Sequence, residues 1–112
     1  MNSDYPIIVK TYNLTLWYIQ KLNSLPKNHR YTLGEKIQNT LLNLLLILSD
    51  TIYSKDKKLL LQKANKEIEK LRLLTRLLKD LTIISTDNFR FITSSIDEIG
   101  QMVGGWMRSS SV

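Results

Sequence analysis

Two prolines and four glycines are the strongest helix breakers in this chain of 112 residues, and they fall near segment ends or in one late cluster. Between them leucine and isoleucine recur at three- and four-residue steps, and no stretch alternates apolar and polar residues as a half-buried strand does. That punctuation leaves little room for anything but helices. The length suits one compact domain, and neither an internal repeat nor a domain boundary appears. Apolar residues make up 43% of the chain, enough to build a core and too many for a disordered segment.

The breakers and capping residues divide the chain into four helices, over about 6–25, 32–53, 55–81 and 86–108, in a single domain spanning 1–112. The first starts at Asp4 and Pro6, since proline tolerates the first turn and an acid suits the positive helix end. Ile7, Ile8, Leu14, Trp17, Tyr18, Leu22 and Leu25 give it one apolar stripe, and Pro26 stops it. Pro26 to Tyr31 then reads as a short basic connection. Thr32 and Glu35 have the spacing of a capping box opening the second helix. In that helix Leu41, Leu42, Leu44, Leu45, Leu46, Ile47 and Leu48 cover almost every side, so it is either central in the bundle or also covered by another subunit. Ser54 is the expected cap of the third helix, which at about 1.5 Å per residue spans about 40 Å. Ser85 caps the fourth, with Ile84 and Phe89 spaced as a hydrophobic staple, and Phe89, Ile92, Ile96, Ile99 and Val103 point inward. The tail Ser109-Ser110-Ser111-Val112 has nothing to bury and is expected to be loose. Short connections between amphipathic helices predict an all-α, up-down-up-down four-helix bundle.

Several functions are set aside by what is missing. There is no cysteine, which removes disulfides and thiolate zinc sites, and the lone His29 cannot form a histidine metal cluster. Asp97 and Glu98 are adjacent, so on a helix they point about 100° apart and do not converge on one substrate. No nucleophile–base pair appears, nor the arginine–histidine spacing of small helical ribonucleases. The expectation is therefore a protein that is not an enzyme and needs no cofactor. Met1 to Pro6 lack the basic start and apolar run of a signal peptide, and the most apolar run, Leu41 to Leu48, is far short of the roughly 20 residues of a bilayer span. A cytoplasmic protein with no membrane partner is expected.

What remains is charge. Sixteen Lys and Arg against ten Asp and Glu leave +6, which points to an anionic partner. Nine of those cations fall on the third helix with its cap: Lys55, Lys57, Lys58, Lys63, Lys66, Lys70, Arg72, Arg76 and Lys79. Arg72, Arg76 and Lys79 share one flank of its apolar stripe with Lys58, while Lys63, Lys66 and Lys70 line the opposite flank. Phosphates are satisfied by such rows, because they need charge along a line and not base-specific geometry. A solvated helix laced by ion pairs to Glu67, Glu69 and Asp80 fits the same residues. Gly100-x-x-x-Gly104-Gly105-Trp106 reads as a close approach of another helix over Gly100 and Gly104. His29, beside Arg30, reads as an ordinary loop histidine.

Three segments carry a resemblance. Tyr31-Thr32-Leu33-Gly34-Glu35-Lys36-Ile37-Gln38-Asn39, Leu71-Arg72-Leu73-Leu74-Thr75-Arg76-Leu77-Leu78-Lys79-Asp80-Leu81 and Asp97-Glu98-Ile99-Gly100-Gln101-Met102-Val103-Gly104-Gly105-Trp106 resemble the accessory variability determinants (Avd) of diversity-generating retroelements. These share a four-helix-bundle family with the proteins of rRNA intervening sequences. The similarity runs in order from about Tyr5 to Arg108, and its last segment is the most specific. The resemblance implies a non-enzymatic, prokaryotic or phage-encoded protein that forms a homopentameric barrel. It implies binding to a reverse transcriptase and to template RNA and RNA/cDNA hybrid through a basic surface, in support of mutagenic reverse transcription during retrohoming. Carried over by position, Arg72, Arg76 and Lys79 are the first candidates for nucleic-acid contact, with Lys70 and Arg30 behind them. Gln101 departs from the family pattern where relatives are often basic, and Arg108 stands where lysine is usual. Five copies would carry five times +6, or +30, which favours an anionic ligand within the assembly. A structural or RNA-associated bundle of the intervening-sequence type is the alternative.

Overall fold

A computed structural model describes residues 4–110, so Met1 to Ser3 of the N-terminal stretch and the last two residues of the expected loose tail lie outside the described residues. Among the described residues all regular structure is helical, and four long helices form a bundle of 46 × 22 × 20 Å. Helix α1 is Pro6–Asn23. Helix α2 covers 27–53 as a turn at Lys27–His29, a π-helical stretch Arg30–Gly34 and an α-helical run Glu35–Tyr53. Helix α3 is Lys57–Asp80 and helix α4 is Thr86–Ser110. Each packs on the next in the chain, and α4 returns to α1.

The ends of these helices correct several expectations. The capping box at Thr32 and Glu35 does not form. Pro26 instead starts the helix early, and the residues read as a basic connection, His29 and Arg30 among them, are already helical. Thr32 donates its hydroxyl to the carbonyls of Asn28 and His29, at 2.7 and 3.3 Å, and so has no oxygen turned toward a helix start. The π turn is what lets the helix run on, because an i→i+5 loop absorbs an extra residue without a break. Gly34 belongs to this turn: a Cβ there would stand 3.3 Å from the His29 carbonyl oxygen and 3.9 Å from Leu22 Cδ2 of α1.

Ser54 is not the cap of α3. Asp56 is, with its carboxylate accepting from the Leu59 amide at 3.3 Å, while the Ser54 hydroxyl accepts from the Asp56 amide at 3.1 Å. The carboxylate wins because an anion at a helix N-terminus also meets the macrodipole. Lys55 consequently lies before the helix. Lys57, the first helical residue, turns back and donates to the carbonyls of Thr51, Ile52 and Ser54 at 3.1, 3.2 and 2.7 Å, closing the end of α2. At the far end of α3, Thr82 adopts φ 59°. Its amide donates to Lys79 and the Ile83 amide to Leu78, both at 2.9 Å, the pair of bonds that defines a Schellman motif. Ser85 caps α4, its hydroxyl accepting from the Asn88 amide at 3.1 Å. The serine tail was expected to be loose, yet Ser109 and Ser110 stay helical, and Ser109 donates to the Trp106 carbonyl at 2.9 Å.

The core follows the apolar stripes. Ile7, Ile8, Leu14, Tyr18 and Leu22 of α1 meet Ile37, Leu41, Leu44 and Leu48 of α2, Leu61, Ile68, Leu71 and Leu78 of α3, and Ile92, Ile96, Ile99 and Val103 of α4. One polar pair crosses it: the Tyr18 phenol and the Thr75 hydroxyl are 2.8 Å apart, both buried. Burial pushes the Tyr18 phenol up from 10.0 to about 12, and its bond to Thr75 offsets part of that rise. The surplus leucines of α2 sort themselves by angle. Leu41, Leu44 and Leu48 go inward, whereas Leu42 and Leu46 face outward, the latter 62% exposed.

Candidate nucleic-acid interface

Helix α3 carries eight cations against three carboxylates, a net charge of +5 over its 24 residues. The amphipathic pattern buries Leu61, Ala64, Ile68, Leu71, Thr75 and Leu78, so the cations are forced to the flanks and the outer face. Their local partners decide how much of that charge is available.

Arg72 reaches across to α4 and pairs with Asp97, and its Nε also lies 3.3 Å from Glu69. Arg76 places its Nε 3.1 Å from each carboxylate oxygen of Asp80. Lys70 pairs with Glu67 at 3.1 Å. Lys79 is aimed differently: its ammonium sits 4.9 Å from the centre of the Phe89 ring on α4. Arg30 is apart from all of these, on the π turn of α2, with its guanidinium carbon 5.5 Å from the centre of the Tyr31 ring. Arg72, Arg76 and Lys79 therefore share a flank as the spacing predicts, but the two arginines are already held by carboxylates. Exposed ion pairs of this kind are worth about 0–1 kcal/mol and are screened by salt, so they orient the guanidinium groups more than they consume them.

Besides Lys58 and Lys79 on this flank, charge without a carboxylate lies on the other one. Among the described residues, Lys63 and Lys66 are exposed and no ion pair engages them, and Lys70 continues their row one turn on. Spacing alone does not make this legible, since Glu67 lies four residues from Lys63 and Glu69 three from Lys66, yet these acids pair with Lys70 and Arg72 instead.

The glycines of α4 have a different role from the one their spacing suggests. Beyond α4's own backbone, an arginine tip is what a Cβ would meet at each: Arg72 Nη2 at 3.2 Å from Gly100 and Arg108 Nη1 at 3.4 Å from Gly104. Among the described residues, no other helix backbone is seated on Gly100 or Gly104. They form the bare floor of a cleft of about 640 Å³ between α3 and α4, walled by Glu69, Arg72, Asp97 and Arg108. Arg108 is thus a further cation at this cleft, one that helical spacing alone does not single out. Asp97 and Glu98 diverge as adjacent helical residues must, Asp97 to Arg72 on α3 and Glu98 to Lys10 on α1.

Among the described residues no three His, Cys, Asp or Glu side chains gather as metal ligands do, and no helix is long and apolar enough to cross a membrane. Fold and surface together define a cation-rich four-helix bundle. The chain belongs to the bAvd-like family, whose model matches residues 7–110, and Avd proteins are accessory proteins of diversity-generating retroelements. Among curated proteins, none matches the chain significantly.

Proposed function

We propose that this protein is a non-enzymatic accessory factor that binds a reverse transcriptase together with its template RNA and RNA/cDNA hybrid, and so supports mutagenic reverse transcription in the cytoplasm of a prokaryotic host. The observation that carries this reading is the net +5 of a long, surface-lying helix in a chain of the bAvd-like family. A row of cations along a rod matches the regular charge of a phosphate backbone, and it does so without reading sequence. The contact residues are Arg72, Arg76, Lys79 and Lys70, joined by Lys63, Lys66 and Arg108, with Arg30 on a separate surface. The ion pairs to Asp80, Asp97 and Glu69 exchange for phosphate when nucleic acid arrives, since both partners are exposed and the exchange costs little.

Self-association into a homopentamer belongs to the same reading. Its support is the apolar surface that one bundle leaves in water: Leu42, Leu46 and Tyr53 on α2, Leu73 and Leu77 on α3 and Leu81 just beyond it, with Leu73 72% exposed. Such outward leucines are expensive to leave solvated and suit a second copy.

The test is a salt titration of binding to single-stranded RNA and to RNA–DNA hybrid. Affinity should fall steeply with salt and vary little with duplex sequence. Arg72→Glu with Arg76→Glu, and separately Lys63→Glu with Lys66→Glu, should each weaken binding by at least tenfold with helicity intact. Binding that survives both double reversals rejects the interface. Light scattering gives the subunit number, and co-purification with a reverse transcriptase encoded in the same element tests the protein partner.

A further inference from the structure

We infer that the cleft beside the π turn of α2 is a guanine-recognition site, so that this protein reads a guanine base and does not only hold phosphates. Three observations meet there. The first is the π turn itself, Arg30–Gly34, a distortion that concentrates at functional sites. The second is Arg30, whose Nε is buried with no acceptor. An orphaned guanidinium N–H is costly unless something brings it an oxygen. The third is the lining of the cleft, which encloses about 440 Å³, within the range of small-ligand sites: Asn23, Arg30, Tyr31, Glu35, Gln38 and Asn39.

The side chains of Asn23, Glu35, Gln38 and Asn39 make no hydrogen bond or ion pair among the described residues. Arg30 and Glu35 are five residues apart, the hydrogen-bonding interval of a π turn, and still do not pair with each other. A cation and an anion thus line one cleft with their bonding capacity unspent.

The donor and acceptor pattern selects the base. Guanine presents N1–H and N2–H side by side, and one carboxylate accepts both in parallel, which is the role of Glu35. Its O6 and N7 accept, and the amides of Gln38 and Asn39 each supply two N–H donors. Adenine places an unprotonated N1 at the same position, cytosine an unprotonated N3, and uracil a single N–H between two carbonyls. Each sets an acceptor against the carboxylate. Tyr31, 60% exposed, offers a ring face for stacking, and Arg30 lies beside that ring to take the phosphate. The same chemistry fits a guanine in single-stranded RNA or a free guanine nucleotide. The RNA form rests on the RNA-binding reading above; the nucleotide form does not.

The experiment uses the full chain and two kinds of probe. In fluorescence anisotropy, short oligouridylates carrying one central guanosine should bind about tenfold more tightly than those carrying adenosine or cytidine, the usual scale of one bidentate base contact. Glu35→Gln should abolish that preference while leaving binding to plain oligouridylate unchanged, and Asn39→Ala should reduce it. In heteronuclear NMR, GMP but not AMP should shift the amides of residues 30–39 in the wild type and not in Glu35→Gln. Guanosine preference with these shifts establishes the site on RNA; the shifts without RNA binding establish it for free nucleotide and reject the RNA contact proposed above. Salt-sensitive binding equal for all bases, with GMP silent, overturns the guanine site and leaves that RNA contact standing. Preference that persists in Glu35→Gln also overturns it.

Discussion

The guanidinium of Arg72 lies on the backbone of α4, with its Nη2 3.2 Å from where a Cβ would project at Gly100. The neighbour is the end of a flexible side chain, and it can swing aside. Gly100→Ala should therefore stabilise the protein by about 0.5–1 kcal/mol, the helix-propensity difference between the two residues. A glycine that seated another helix would instead lose stability on this change. Thermal unfolding decides the sign, and loss of stability would return Gly100 to a packing role.

Thr82 occupies the left-handed position of the Schellman motif at φ 59°, where a β-branched side chain is strained and glycine is the usual solution. Thr82→Gly relieves that strain and should raise stability by about 1 kcal/mol. Denaturant unfolding with an unchanged slope is the check, and a loss of stability would mean that the Thr82 side chain contributes contacts that outweigh its backbone.

Lys57 is the first residue of α3, a position where the helix dipole disfavours a cation. It is held there by the three carbonyls that end α2, with Nζ to Ser54 oxygen at 2.7 Å the shortest. Lys57→Met keeps the stem and removes those bonds, and should cost about 1–2 kcal/mol. The neighbouring exposed Lys58→Met is the control and should change stability by less than about 0.5 kcal/mol. Equal effects would remove the capping role.

Tyr18 ties stability to alkaline pH. Its phenol is neutral and buried, with a folded value near 12 against 10.0 for the free side chain. The unfolded chain therefore loses this proton first as pH rises. The stabilisation is fully present below pH 10 and is lost as pH climbs to about 12. The stabilisation lost across that window is roughly 3 kcal/mol at most. Tyr18→Phe should flatten stability against pH over that window, while costing about 1 kcal/mol at neutral pH because Thr75 loses its partner. A variant whose alkaline limb matches the wild type would show that Tyr18 does not set it.

The number and order of the helices, the Ser85 cap and the i,i+3 and i,i+4 ion pairs of α3 were legible from residue spacing, because each rests on interactions within about one helical turn. So were the inward stripes, except that Phe89 is only half-buried under Lys79 and lies outside the core. The start of α2 was not. Pro26 and Thr32–Glu35 are both valid start signals, and nothing local ranks them. What decides is α1, which receives Gly34 against Leu22 and so favours one continuous helix with a π turn. Arg72 shows the same division. Its pair with Glu69 is written in the spacing, whereas its hold on Asp97, 25 residues away, exists only once α3 lies beside α4.

Composition and periodicity by themselves determined that this chain is a basic helical bundle and that α3 carries the charge, since periodicity fixes which residues leave the core. Tertiary packing decided which of those cations are held by acids, what the glycines of α4 accommodate, and that Arg30, Glu35 and three amides share one cleft. Such outcomes depend on which helices become neighbours. Angle around one helix axis is a local property; proximity between two axes is not.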